Sequence, residues 1–264
     1  MKKLLFTVDL EEFDGTKTKN ECSEKGFKSL YEVIQKNKIR TTFFVTWTFA
    51  VKNQEIIKKL ITDGHEVACH AYAHSDRYNQ MSEKNAYEKI SLAKKSLEKQ
   101  FGIKVYGFRA PQMSYPSYKI LKDVGFKYDS SLHPTFLPGF HNELSRSRKI
   151  EVINGLTILP ISTVPFLRVP FSWIWFRNFI LLYTKLCSLL CYLAEDYVNI
   201  YFHPWDFCEL NEYKIDLGKE NKIIEYLYVK NTGKKALIKL DKYFKWINKK
   251  RIKSMTIREY LKCK

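Results

Sequence analysis

Along the chain, short apolar runs alternate with longer stretches in which apolar residues recur every three or four positions. Residues 4–10 are short and apolar, which predicts a buried strand. Residues 22–38 place Phe27, Leu30, Tyr31 and Ile34 at helical spacing. A β-branched and aromatic run at 41–48 predicts a second strand, and 54–63 a helix closed by Gly64. The alternation continues with a strand at 65–70 and a long amphipathic helix at 82–101 that ends at Gly102. A strand at 105–109, a helix at 118–124 stopped by Gly125, and a strand at 127–132 follow. Further on come a strand at 156–161, a helix around 179–193, a strand at 198–203 and a helix at 235–250. Repeated strand–helix units with short connections predict a parallel sheet.

The polar residues Asp9, His70, Arg109, Asp129 and His203 fall at the carboxyl ends of successive predicted strands. That is the catalytic face of a (β/α) barrel, and an open doubly wound sheet places its ligands similarly. Periodicity alone does not separate the two. No Pro/Gly/Ser-rich linker, low-complexity run or repeat divides the chain, so residues 1–264 read as one domain. The opening Met1-Lys2-Lys3-Leu4-Leu5-Phe6 could begin a signal peptide, but its apolar run stops at Asp9, too soon for an h-region. It reads as a first strand. Six cysteines without framework spacing then suit reduced thiols and a cytoplasmic setting.

The formal charge is +17. Residues 216–264 form a basic, helical carboxyl-terminal segment, with 15 Lys and Arg against 5 Asp and Glu. No nucleic-acid motif accompanies the charge, so no nucleic-acid partner is expected. An anionic membrane surface is a second candidate partner. A lysine-rich, glycine-poor composition that makes any protein basic is the plain alternative.

The chemistry concentrates in a few motifs. Thr7-Val8-Asp9-Leu10-Glu11-Glu12 ends the first strand, and Asp9 and Glu11, two apart, share a strand face. His70-Ala71-Tyr72-Ala73-His74 sets two histidines four apart. On a helix turn or at a strand end, such a pair can reach one ion, and a carboxylate would complete three ligands with one position left open. A His-Glu-x-x-His protease site is excluded by spacing, because three residues, not two, separate His65-Glu66 from His70 when Glu66 is left out of the count. Gly107-Phe108-Arg109-Ala110-Pro111, Tyr128-Asp129-Ser130-Ser131 and Tyr201-Phe202-His203-Pro204-Trp205-Asp206 follow in order. An arginine beside Asp9 would hold it ionised.

This ordered set, running to about Phe207, resembles the polysaccharide deacetylase family (carbohydrate esterase family 4, the NodB homology domain), in its Asp-x-Glu branch. The resemblance implies an α/β fold, a distorted and incomplete (β/α) barrel of seven or eight mostly parallel strands. It makes Asp9 the general base and Glu11, His70 and His74 the metal ligands. Glu12 and Asp14 lie close enough in sequence to compete with Glu11 for that role. His203 becomes the general acid, oriented by Asp129, and Arg109 the partner of Asp9. Pro111 and Gln112 would present a backbone N–H to the oxyanion, and Trp205 would meet substrate. The cofactor implied is a divalent metal, zinc foremost, with cobalt, nickel or iron able to replace it. The activity implied is removal of an N-acetyl group from an amino sugar. A deformylase or another amidohydrolase would use the same machinery, and an idle sugar-binding protein could share the fold.

Residues 164–195 are rich in aromatic and aliphatic side chains but are interrupted by Arg177 and Lys185. They read either as a core helix with a loop over the barrel mouth or as an interfacial segment. In the second case Trp173 and Trp175 would enter a headgroup region, the enzyme would sit peripherally at the inner face of the membrane, and the sugar would be lipid-linked.

Overall fold

The computed structural model describes residues 1–137, 141–216 and 222–263. The strands are β1 (Lys3–Leu10), β2 (Thr41–Val45), β3 (Glu66–Cys69), β4 (Gly107–Phe108) and β5 (Tyr128–Asp129), then a small hairpin of β6 (Phe136–Leu137) and β7 (His141–Asn142). After these come β8 (Glu151–Ile153), β9 (Leu156–Ile158), β10 (Tyr197–Phe202) and β11 (Lys253–Ser254). The main sheet runs β10-β1-β2-β3-β4-β5-β9-β8, with β11 pairing β1. Every pairing in it is parallel except β8 with β9. The result is the curled, mostly parallel barrel expected from the motifs.

Among the described residues no strand ladder closes the barrel. Instead Ser162 N donates to Asn199 O at 2.9 Å, and the Asn199 amide reaches Ser130 Oγ at 3.1 Å and Pro160 O at 3.0 Å. One side-chain amide thus stitches β10 to the segment beyond β9.

Alternation along the strands separates two cores. On β1, Leu4, Phe6, Val8 and Leu10 face the helices, while Leu5 joins Phe44, Ala68, Tyr128 and Tyr197 inside the barrel. Thr7 and Asp9 share the parity of Leu5, so the same period that buries Leu5 brings Asp9 to the barrel axis. The helices are α1 (Lys19–Lys36), α2 (Trp47–Lys52), α3 (Gln54–Thr62), α4 (Glu83–Phe101), α5 (Tyr118–Asp123), α6 (Trp173–Asn178), α7 (Leu181–Ala194), α8 (Lys222–Val229), α9 (Lys234–Lys249) and α10 (Ile257–Leu261). The expected strand at 41–48 ends at Val45, because Thr46 takes an extended backbone and caps α2, accepting from Phe49 N at 3.3 Å. Part of the basic segment at 216–264 lies outside the described residues. Within the described part, α9 buries Leu240, Phe244 and Ile247, which its spacing puts on the core side, together with Ala236 and Tyr243, while Leu237 on the same predicted face is half-buried.

Candidate metal centre and catalytic face

Two strand ends and one loop converge at the top of the barrel. Glu11 follows β1, His70 follows β3, and His74 lies four residues on. The turn between the histidines passes through Ala71 at φ 88°, and its carbonyl is held by Trp47 N at 3.2 Å. This is the strand-end version of the histidine pair. A non-glycine residue in the left-handed region costs energy and persists only where surrounding contacts enforce it.

The carboxylate of Glu11 is buried between the two imidazoles: His70 Nε2 is 3.0 Å from Oε2, and His74 Nε2 is 3.4 Å from Oε1. The other nitrogen of each ring is taken. His70 Nδ1 donates to Arg109 O at 2.8 Å, and His74 Nδ1 faces the Asp14 carboxylate at 2.7 Å. In the neutral rings these bonds leave each Nε2 as a lone pair pointing at a carboxylate oxygen. Lone pair against lone pair is unfavourable unless a proton or a cation lies between them. Among the described residues Glu11 Oε2 has no hydrogen-bond donor, although it is buried. Ligands ~2.1 Å from a tetrahedral ion stand ~3.4 Å apart, close to the spacings here. Among the described residues no group of three or more His, Cys, Asp or Glu side chains is already spaced to hold a metal ion. The donor set nevertheless fits one: two histidines, each with its far nitrogen anchored, and a carboxylate in want of a partner. The electrostatics agree. Burial alone would lower the pKa of His74, but the charges of Glu11 and Asp14 outweigh it and raise it.

Asp9 stands beside this trio. Arg109, fully buried, donates from Nη1 to Asp9 Oδ1 at 2.7 Å and to Thr7 Oγ1 at 2.8 Å. Its remaining N–H groups reach Ser130 O at 2.9 Å and Ser130 Oγ at 3.0 Å, and its plane lies 4.1 Å over Phe44. Burial would push the Asp9 carboxyl up, but Arg109, His70 and His203 together hold it below the usual carboxylate range. The second oxygen, Oδ2, faces His203 Nε2 at 4.0 Å, and the same nitrogen is 3.9 Å from Glu11 Oε1. Asp9, Glu11 and His203 therefore surround one small volume.

Two expected roles are not met by this geometry. Asp129 does not orient His203. Its carboxylate is occupied by Ser131, which donates from its backbone N at 3.1 Å and its hydroxyl at 2.5 Å. Burial pushes Asp129 up to about 6 against those two bonds and Arg109. The carboxylate at His203 is Asp206, whose Oδ2 accepts from His203 N at 2.8 Å and lies 3.6 Å from Nδ1. Asp206 is in turn paired with buried Arg177 at 2.8 Å. The chain signalled this only by placing an acid three residues after the histidine and an arginine within an apolar stretch. Trp205, expected to meet substrate, is buried. It stacks on His203 at 4.5 Å and on Phe13 at 4.9 Å, so it backs the imidazole rather than lining an opening.

Of the two readings of residues 164–195, a loop over the barrel mouth or an interfacial segment, the position of Trp173 fits the first: it stands beside His203. Its ring meets His203 edge-on at 4.9 Å and packs on Tyr228 and Tyr201 at 5.0 and 5.9 Å. A ring enclosed in this way is not free to enter a headgroup region. Pro111 is buried and Gln112 exposed, in a turn where Gln112 and Met113 both have positive φ, 50° and 57°. Met113 N and Ser114 N are spent inside this turn, on Ala110 O at 3.2 Å and Pro111 O at 3.0 Å.

Residues 12–128 match the family model "Polysaccharide deacetylase". The matched span holds His70, His74 and Arg109, while Asp9, Glu11, Asp129 and His203 lie outside it. The fold is similar to a probable polysaccharide deacetylase from Pseudomonas aeruginosa PAO1, with a TM-score of 0.65 at 14% identity over 97% of this chain and 88% of that one. It is also similar to the peptidoglycan deacetylase PdaC from Bacillus subtilis, with a TM-score of 0.53 at 12% identity over 98% and 89%. Among curated sequences, the uncharacterized protein YlxY of Bacillus subtilis (strain 168) is 28% identical over 96 residues. That stretch is 36% of this chain and only 28% of the length of YlxY.

Proposed function

We propose, from the polysaccharide deacetylase likeness of residues 12–128 and of the fold, that this protein is a metal-dependent hydrolase that removes the N-acetyl group of an amino sugar. The observation that supports this best is the convergence of Glu11, His70 and His74 on one point, with Asp9 and His203 directly beside it. Glu11, His70 and His74 would hold the cation, zinc foremost. When bound there, it supplies a Lewis acid that acidifies water and polarises a carbonyl.

The protein's own groups do the rest. Arg109 keeps Asp9 anionic through Oδ1, leaving Oδ2 to accept a proton from the attacking water. A backbone N–H in the strained turn at Gln112 donates to the oxygen that becomes negative as the acyl carbon turns tetrahedral. His203 delivers its Nε2 proton to the leaving nitrogen, without which the amide C–N bond does not break. Asp206 fixes the plane of that imidazole, while Trp205 and Trp173 pack against it and keep bulk water from it. The products are acetate and a free amino sugar. We place the enzyme peripherally at an anionic, cytoplasmic membrane face, where the sugar would be carried on a lipid.

The direct test is acetate release from N-acetylated sugar oligomers, nucleotide-linked sugars and lipid-linked sugars by zinc-loaded protein. Asp9→Asn should keep the metal and lose turnover. Retention of turnover by Asp9→Asn would require a different base.

A further inference from the structure

Helix α7 is patterned the wrong way round for a helix exposed to water. Its core side is mostly small or polar, with Thr184, Cys187, Ser188 and Cys191 buried beside Tyr192. Ser188 Oγ satisfies itself on Thr184 O at 2.8 Å and on Tyr243 OH at 2.9 Å. Its outer side is leucine: Leu182, Leu186, Leu189, Leu190 and Leu193 are all exposed, the last by 82%. These positions recur at four, seven, eight and eleven residues from Leu182, one continuous stripe on a helix. The stripe is extended at the amino end by Phe179 and Ile180, both exposed. A soluble surface scatters such residues singly, and a contiguous set marks something that covers it.

The neighbouring helix says what covers it. α9 packs beside α7 through Tyr243, and Lys185 of α7 lies 5.9 Å from the Trp246 ring. The outer face of α9 exposes Lys234, Lys235, Lys242, Lys245 and Lys249, with Ile238 among them. An apolar stripe flanked by a lysine row matches an anionic bilayer, whose acyl boundary takes leucines and whose headgroups take ammonium groups. A second copy of this chain is disfavoured by charge, since each brings +17. No helix among the described residues is long and apolar enough to cross a membrane, so the contact is with one leaflet. The loop tip of Phe166, 97% exposed, and Leu167 lies between β9 and α6, the helix that carries Trp173 against His203. It offers a second apolar anchor.

We propose that the leucine face of α7, with the Phe166–Leu167 tip and the lysine row of α9, is the surface by which this protein docks on an anionic membrane. This inference deepens the peripheral placement given under the proposed function and assigns it to residues outside the catalytic set.

The test is co-sedimentation with phosphatidylcholine vesicles and with vesicles containing an equal share of phosphatidylglycerol, across a salt series. The wild-type protein should bind only the second kind, and less as salt rises. Leu186→Glu with Leu190→Glu should cut that binding about tenfold or more while leaving turnover of a water-soluble acetylated sugar unchanged. Lys242→Glu with Lys249→Glu should weaken binding and flatten its salt dependence. Binding that ignores the leucine substitutions overturns the proposal, as does failure to bind phosphatidylglycerol at low salt. A wild-type dimer that Leu186→Glu with Leu190→Glu converts to monomer on gel filtration also overturns it, by naming a second copy as the occupant. Because turnover of the soluble sugar is read separately, loss of docking and loss of the proposed chemistry are told apart.

Discussion

At the residue scale, the site is a set of acids held in different charge states by different neighbours. Asp9 and Asp129 are both fully buried aspartates at strand ends, yet Arg109 keeps one anionic, while burial with only Ser131 and a more remote Arg109 leaves the other near 6. A carboxyl whose folded pKa is raised above the unfolded value of about 3.9 favours the folded state most when protonated. Its contribution is therefore full below pH ~4 and lost as the pH rises to about 6, on the order of 3 kcal/mol for the two-unit shift. Asp129→Asn should remove that decline, read as the change in urea unfolding free energy between pH 4 and pH 7 relative to wild type. The same substitution should leave acid catalysis in place, since Asp129 does not touch His203. Asp206→Asn should instead lower turnover about 10–100-fold with metal content intact, the usual cost of losing a carboxylate that orients a functional imidazole. Equal losses from the two variants would return the orienting role to Asp129.

That Glu11, His70, His74 and Asp9 come together could be read in the sequence, because strand parity and a four-residue histidine spacing are local patterns. Asp206, Arg177 and Trp173 could not, because their roles depend on a tertiary contact between β10, α6 and the segment after α8. Arg177 shows this most clearly. In the sequence it interrupts an apolar run, and in the fold it is buried, donating to Tyr228 O at 3.0 Å and Lys230 O at 2.7 Å while pairing with Asp206. Nothing in its neighbours along the chain points to an acid nearly thirty residues away.

At the element scale, the helices and the apolar strands appeared where the pattern put them, but several strands came out shorter than it predicted. The expected strand at 127–132 contracts to Tyr128–Asp129, because Ser130 and Ser131 turn to serve Arg109, Ala110 and Asp129. One close approach between elements has a direct functional consequence. A Cβ at Gly26 of α1 would stand 2.0 Å from Pro204 O, one residue after His203. Gly26→Ala must therefore push α1 and the His203 loop apart. It should cost about 1–3 kcal/mol in thermal or denaturant unfolding and reduce turnover more than metal binding. Unchanged turnover would mean that the loop adjusts without moving the imidazole.

For the whole molecule, metal binding and membrane docking are assigned to separate surfaces. The groups proposed for catalysis sit at the carboxyl ends of the strands, most of them buried, while the exposed leucines and the lysine row lie on outer helices. Salt should thus weaken attachment to vesicles and spare turnover of a soluble substrate, since the Asp9–Arg109 pair is shielded from solvent ions. The central claim is that Glu11, His70 and His74 hold the cation on which amide hydrolysis depends. It is tested most directly by measuring divalent metal per chain alongside acetate release, in wild type and in His70→Ala with His74→Ala. Wild type should carry close to one ion and lose acetate release on chelation, regaining it with zinc, and the double variant should carry almost none and release none. Full metal occupancy or undiminished acetate release in the double variant would contradict the assignment.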